Sequence, residues 1–311
     1  MVDRQQPLAR ICFASPRISA FLALLILLLL SACSDARGAT GDKTLGLVSL
    51  APSNTELIYS LSAQDRLLGV STYCKYPREA EKKPKAGSFV SVDFERMAKL
   101  KPDIVLLVDG QEPLAIQLKK HGIKSLVLHN KKLKDIGDNL VTIGSLCGKK
   151  ERGEQLAAIY AKAIDDLKAM VKNERSPKLL FCVWPRPIVT IGGESFLSDV
   201  VTTCGAANLT KDLKESYPKL SSERLISLQP EIIVLPFQSR NTSMQTTPPW
   251  SLLSSIRQKK YFFLPDPDDD YLSRPTMRVI KGLCWLSLNI HPKLDGQLKR
   301  WLAQNSTSLG I

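Results

Sequence analysis

The chain is poor in the residues that build reaction centres. Its three histidines, His121, His129 and His291, stand too far apart to suggest a local metal site. This argues against a zinc or manganese receptor built on several His ligands. No two of its seven cysteines have Cys-x-x-Cys spacing, so thiol redox catalysis and zinc fingers lack support. There is no G-x-S-x-G elbow, no P-loop and no G-x-G-x-x-G after a strand. Asp268, Asp269 and Asp270 could be drawn as the acid and base of a hydrolase, but no partner residue is indicated, and they read as a solvated loop. The Lys and Arg residues that give a net charge of +13 are scattered, and no run alternates them with stacking aromatics. That argues against nucleic acid and favours a basic face toward an anionic membrane or an acidic ligand. No catalytic set emerges, and no resident cofactor or metal is expected.

Long apolar runs are scarce too. One stands at the start, where Arg4, Arg10 and Arg17 precede the unbroken stretch Ala20 to Leu30. It is short for a transmembrane helix and right for a signal peptide. It ends in Leu30-Ser31-Ala32-Cys33, which is similar to a bacterial lipobox, with Cys33 as the lipidated residue. Residues 1–32 are therefore expected to be a lipoprotein signal peptide and 33–43 a polar tether. The protein is expected to be exported, periplasmic or at the cell surface, and held to a membrane at Cys33. Export makes the remaining cysteines, Cys74, Cys147, Cys182, Cys204 and Cys284, disulfide candidates, with at least one left free.

What the chain does have is a duplication. Glu95-Arg96 followed by Pro102-Asp103-Ile104-Val105-Leu106-Leu107 matches Glu223-Arg224 followed by Pro230-Glu231-Ile232-Ile233-Val234-Leu235. Each copy reads as a short helix, a Pro-marked turn and a buried strand. Between them, Lys150 to Asn173 carries Leu156, Ile159, Tyr160, Ala163, Leu167, Met170 and Val171 at helical spacing. It predicts a helix roughly 35 Å long, stopped at Ser176-Pro177. The fold class is α/β, with two lobes, each a mainly parallel sheet flanked by helices, joined by one long rigid helix. The expected boundaries are 44–148 for the first lobe, 149–174 for the joining helix, 175–290 for the second lobe and 291–311 for a terminal helix and tail. At the first helix, Ser53 and Glu56 read as a capping box; Asp93 reads as the cap of the first repeat helix.

Ligands of open α/β sheets sit beyond the carboxyl ends of the strands. The loops expected there carry Tyr73, Tyr76, Phe89, Trp184, Arg186, Tyr217, Trp250, Asp270, Tyr271 and Arg274. Aromatics in such loops suit a large flat ligand.

The chain resembles the helical-backbone class of periplasmic substrate-binding proteins, which feed ABC importers of cobalamin, haem and ferric siderophores. The resemblance runs from about Leu45 to Ile290. It rests on Val48-Ser49-Leu50-Ala51-Pro52-Ser53-Asn54-Thr55-Glu56-Leu57, Gly69-Val70-Ser71, Tyr76-Pro77, Cys204-Gly205-Ala206-Ala207-Asn208 and the two repeat units. Within the class it is most similar to cobalamin-binding members. That implies a corrinoid ligand held by Tyr73, Tyr76, Phe89, Trp184, Tyr217, Asp270, Tyr271 and Arg274. The chain departs from those members in having Val108 where a cleft Trp is expected. Haem or a ferric siderophore is the alternative. Haem would want Tyr73, Tyr76 or Tyr271 as an axial ligand, and an anionic siderophore would want Arg186, Arg240 or Arg274 to converge. A surface interaction lipoprotein outside transport is the alternative of another class. The resemblance also implies a Cys204–Cys284 disulfide, and docking of Glu95 and Glu223 onto arginines of a permease dimer. The protein itself is expected to be a monomer.

Overall fold

The computed structural model describes residues 44–265 and 271–311. Asp270 and Cys33 lie outside the described residues. In chain order, the first sheet takes β1 (Leu47–Ser49), α1 (Pro52–Ser60), β2 (Leu67–Ser71), β3 (Lys85–Gly87), α2 (Phe94–Leu100), β4 (Ile104–Val108), α3 (Glu112–Lys120), β5 (Ser125–Leu128) and α4 (Lys134–Leu146). Its strands run β3-β2-β1-β4-β5, all parallel. Leu47 pairs with both Leu67 and Ile104, so β1 is the central strand. The chain first winds outward through β2 and β3, then returns to the other side of β1. The strand order therefore reverses between β1 and β4, where open α/β sheets leave a crevice.

The joining helix α5 spans Lys150–Val171, 22 residues, about 33 Å of rise. It buries Leu156, Tyr160, Ala163, Ile164, Leu167 and Val171. Ile164 takes the core place expected of Ile159 and Met170, which are only partly buried. One apolar core follows this stripe out of the first lobe and into the second. Helix α5 lies tight against α4. A Cβ on Gly153 would stand 2.6 Å from the Leu140 carbonyl, and one on Gly144 2.9 Å from that of Lys149, so only glycine fits at these two positions.

The second sheet takes β6 (Lys178–Pro185), β7 (Ile188–Thr190), α6 (Phe196–Thr203), β8 (Ala207–Asn208), α7 (Ser222–Leu228), β9 (Ile232–Leu235), α8 (Ser254–Arg257) and β10 (Tyr261–Phe263). Its order is β10-β9-β6-β7, with β8 also on β6. All pairs are parallel except β6 with β7, which is antiparallel. Helices α9 (Val279–Ile290) and α10 (Asp295–Leu309) close the chain, the latter ending at Gly310 in the left-handed region. Among the described residues no helix is long and apolar enough to cross a membrane.

The two repeat units fold alike in detail. Asp93 and Ser221 cap their helices by accepting from the N–H of Arg96 and Arg224. Lys101 and Gln229 end them in the left-handed conformation, at φ 46° and 43°, directly before the matching prolines.

Two local expectations are corrected. Helix α1 starts on Pro52, with Ala51 as its cap and no side-chain bond to it. Proline at the first helical position suits that start without help from a capping box. Glu56 is turned elsewhere, as shown below. The Cys204–Cys284 bridge is not present: all five described cysteines are buried thiols. The Cys204 thiol donates to the Leu283 carbonyl at 3.4 Å. Burial pushes both thiols up to about 12, far from the thiolate that disulfide exchange needs.

Candidate ligand cleft

A cleft of about 340 Å³ opens where the two lobes meet. From the first lobe it takes Ala51, Pro52 and Ser53 after β1, Val108 and Asp109 at the end of β4, Asn130 and Lys131 after β5, and Phe89. These are the two sides of the switch point. From the second lobe it takes Glu194 to Phe196, Ser216, Tyr217 and Ser273 to Pro275. A neighbouring, more apolar chamber of about 320 Å³ shares Tyr217 and Ser273 with it. That chamber is walled by the ends of β6, β9 and β10, with Trp184, Phe237, Leu264 and Tyr271.

The main chain fixes the rings that face this space. The Phe89 carbonyl accepts from Gln111 Nε2 at 2.9 Å, and the same amide reaches the Leu50 carbonyl at 3.2 Å. Its Oε1 accepts from the Val108 N–H at 3.0 Å. Buried Gln111 thus ties the Phe89 loop to the ends of β1 and β4. Tyr217 sits between two backbone bonds: Gly192 N–H donates to the Ser216 carbonyl and Thr190 N–H to that of Pro218, at 2.9 and 3.0 Å. The loop lies so close that a Cβ on Gly192 or Gly193 would collide with the carbonyls of Glu215 and Lys211. Both rings nevertheless remain exposed, as does Trp184. Exposed aromatics on a rigid frame are what a desolvating ligand needs.

Polar groups fix the rest of the rim. Asp109 accepts from His129 Nδ1 at 2.5 Å and from the Asn130 N–H at 2.8 Å, joining the ends of β4 and β5. Ser195 caps α6, accepting from the Ser198 N–H. Arg274 reaches the cleft and donates to Glu56 Oε1 at 3.2 Å.

Of the expected ligand residues, Phe89, Tyr217 and Arg274 line the main cleft, and Trp184, Tyr217 and Tyr271 the second chamber. Tyr73 and Tyr76 line neither. Tyr73 is 57% exposed, and the Tyr76 ring lies under the Arg278 guanidinium, 3.9 Å from its centroid. Trp250 is fully buried in the core of the second lobe. Arg186 donates to Thr247 and Arg240 stacks on Phe237, so these two do not converge with Arg274. Gln111, Asp109, Asn130, Lys131 and Glu194 were not anticipated. Each follows a strand end or the Gly192-Gly193 turn, which was the one available signal.

A sequence model described as periplasmic binding protein matches residues 47–267. The chain belongs to the periplasmic binding protein family. Among relatives of this periplasmic binding protein is the vitamin B12-binding protein of Vibrio vulnificus strain CMCP6, 28% identical over 241 residues, covering 76% of this chain and 86% of that protein. An uncharacterised ABC transporter substrate-binding lipoprotein of Bacillus subtilis strain 168 is 28% identical over 255 residues, covering 79% and 80%. The crystal structure of the periplasmic vitamin B12 binding protein of Vibrio cholerae superposes with a TM-score of 0.70 at 23% identity, covering 79% of this chain and 96% of that one. The shared architecture is two α/β lobes.

Proposed function

We propose that this binding protein captures a large, flat metal chelate of the corrinoid type and hands it to an ABC importer. The observation that carries the reading is the pair Phe89 and Tyr217, exposed rings from opposite lobes lining one cleft. Relatives named for vitamin B12 support the choice of ligand. Haem fits less well, because Tyr73 and Tyr76, two of its three candidate axial ligands, lie outside the cleft. An anionic siderophore fits less well, because Arg186, Arg240 and Arg274 are engaged separately.

Delivery would use Glu95 and Glu223. Each is exposed in the first turn of its repeat helix, α2 or α7. Cys33 would carry the lipid, a reading supported by the lipoprotein name of one relative; Cys33→Ser should then release the protein from membranes.

Titrating the purified protein with cyanocobalamin, haemin and a ferric catecholate chelate, followed by absorbance and calorimetry, tests the reading. Saturable one-to-one binding of cyanocobalamin is expected. Binding of haemin or the chelate with no response to cyanocobalamin would replace the ligand, and no binding at all would remove the transport role.

A further inference from the structure

Glu56 lies in the middle of α1, one turn beneath the cleft floor formed by Pro52 and Ser53. Its side chain is 3% exposed. Nothing in its own lobe neutralises it; the partners come from the second lobe. Arg274 Nη1 approaches Oε1 at 3.2 Å and Arg278 Nη1 approaches Oε2 at 3.6 Å. Arg278 is itself buried and passes between Glu56 and Tyr76, both of the first lobe, with its guanidinium over the Tyr76 ring. Two side chains of one short segment, Arg274 and Arg278, thus close on a single carboxylate. That segment also forms the cleft wall, through Ser273, Arg274 and Pro275.

A buried carboxylate with two guanidiniums is a poor device for stability, because desolvation offsets most of the attraction. It is a good device for geometry, because a displaced partner leaves a charge stranded in the interior. We propose that Glu56 is a positioning residue for ligand capture: it seats the 273–278 segment of the second lobe on the first and so sets the width of the cleft between Phe89 and Tyr217. A second tie, from the Leu133 N–H to the Asp199 carboxylate at 2.8 Å, joins the lobes elsewhere and leaves the width to be set at Glu56. The inference rests on the reading of this cleft as the ligand site.

The test needs a readout that is independent of ligand. Spin labels at Lys120→Cys and Gln258→Cys, both exposed and one on each lobe, report the lobe separation in the apo protein. The parent protein should give one narrow distance distribution. Glu56→Gln, which keeps shape and removes charge, should broaden it. Cyanocobalamin affinity should fall roughly tenfold, as expected when the binding-competent arrangement drops to about a tenth of the population. Saturating cyanocobalamin should restore the narrow distribution. Arg278→Gln, which leaves Arg274 on Glu56, should give the same pattern and serves if Glu56→Gln does not fold. A distribution that stays narrow in folded variants overturns the proposal, as does a broadened one with unchanged affinity. If the parent protein binds no cyanocobalamin, the ligand reading fails instead, and the distances alone decide whether Glu56 sets the lobe separation.

Discussion

Asp103 and Glu231 hold matching places in the two lobes and make the same pair of bonds. The Asp103 N–H donates to the Gly46 carbonyl, and its carboxylate accepts from the Gly46 N–H, at 2.9 and 2.8 Å. The Glu231 N–H donates to the Lys178 carbonyl, and its carboxylate accepts from the Lys178 N–H, at 2.9 and 3.3 Å. In each lobe the acid after the repeat proline clamps the start of the first strand. Asp103→Ala and Glu231→Ala should each lower the unfolding free energy by about 1 kcal/mol, the net worth of such a bond at a partly exposed site. Ligand affinity should not change, because both clamps lie at the strand ends remote from the cleft. Urea denaturation beside ligand titration checks this; a loss of affinity without a loss of stability would contradict it.

Phe89→Ala and Tyr217→Ala should each weaken cyanocobalamin binding by about 1–2 kcal/mol, roughly five- to thirtyfold in Kd, for the apolar area no longer covered. Melting temperatures should stay put, because both rings are exposed and support no core. Calorimetric titration decides; equal affinities for parent and both variants would place the ligand elsewhere.

Glu95→Ala with Glu223→Ala should reduce uptake while leaving ligand affinity intact. Glu95 already pairs with Lys99 at 2.6 Å, an exposed contact worth little. Glu223 has no such lysine; the helix backbone and Ser221 hold its carboxyl below the usual range. Uptake that falls only in step with melting temperature would reduce both acids to helix-start residues.

Burial raises the Glu56 carboxyl above its ordinary 4.5, against the opposing pull of Arg278 and Arg274. The folded protein therefore binds this proton more tightly than the unfolded chain does. The contribution to stability is fully present below 4.5 and is lost as pH rises through the folded value. Glu56→Gln should abolish that slope. Urea midpoints measured from pH 4 to pH 8 should show the parent losing stability relative to Glu56→Gln as pH rises. A difference that grows in the opposite direction would show that the arginines outweigh burial.

The repeat units could be read from the chain because their signals are local. Asp93, Lys101 and Pro102 act within a few residues of themselves, and so do Ser221, Gln229 and Pro230. The strand ends of the cleft were legible for the same reason. Glu56 was misread because Ser-x-x-Glu is also a local signal, while its true partner Arg274 lies 218 residues away. Tyr73 and Tyr76, which line neither cavity, show the same limit. Their position after a strand places them near the crevice, but only packing decides that Tyr76 lies beneath Arg278. Gln111 carries no periodicity, and its role exists only once Leu50 and Phe89 have been brought beside it.

The first sheet is drawn wholly from residues 47–128 and the second from residues 178–263, with α5 as the link. Each wall of the cleft is therefore inherited as one unbroken piece of gene. Ligand-facing loops on one side can drift, or be exchanged for those of a relative, without rewriting the other side. Besides the apolar core that α5 shares with both lobes, what a hybrid must preserve is small: the glycine contact between α4 and α5, Leu133 against Asp199, and Glu56 against the segment that closes on it. A recombination point just after Val171 would keep the first and break the other two unless both parents carried them, which sets the terms on which such receptors can trade halves.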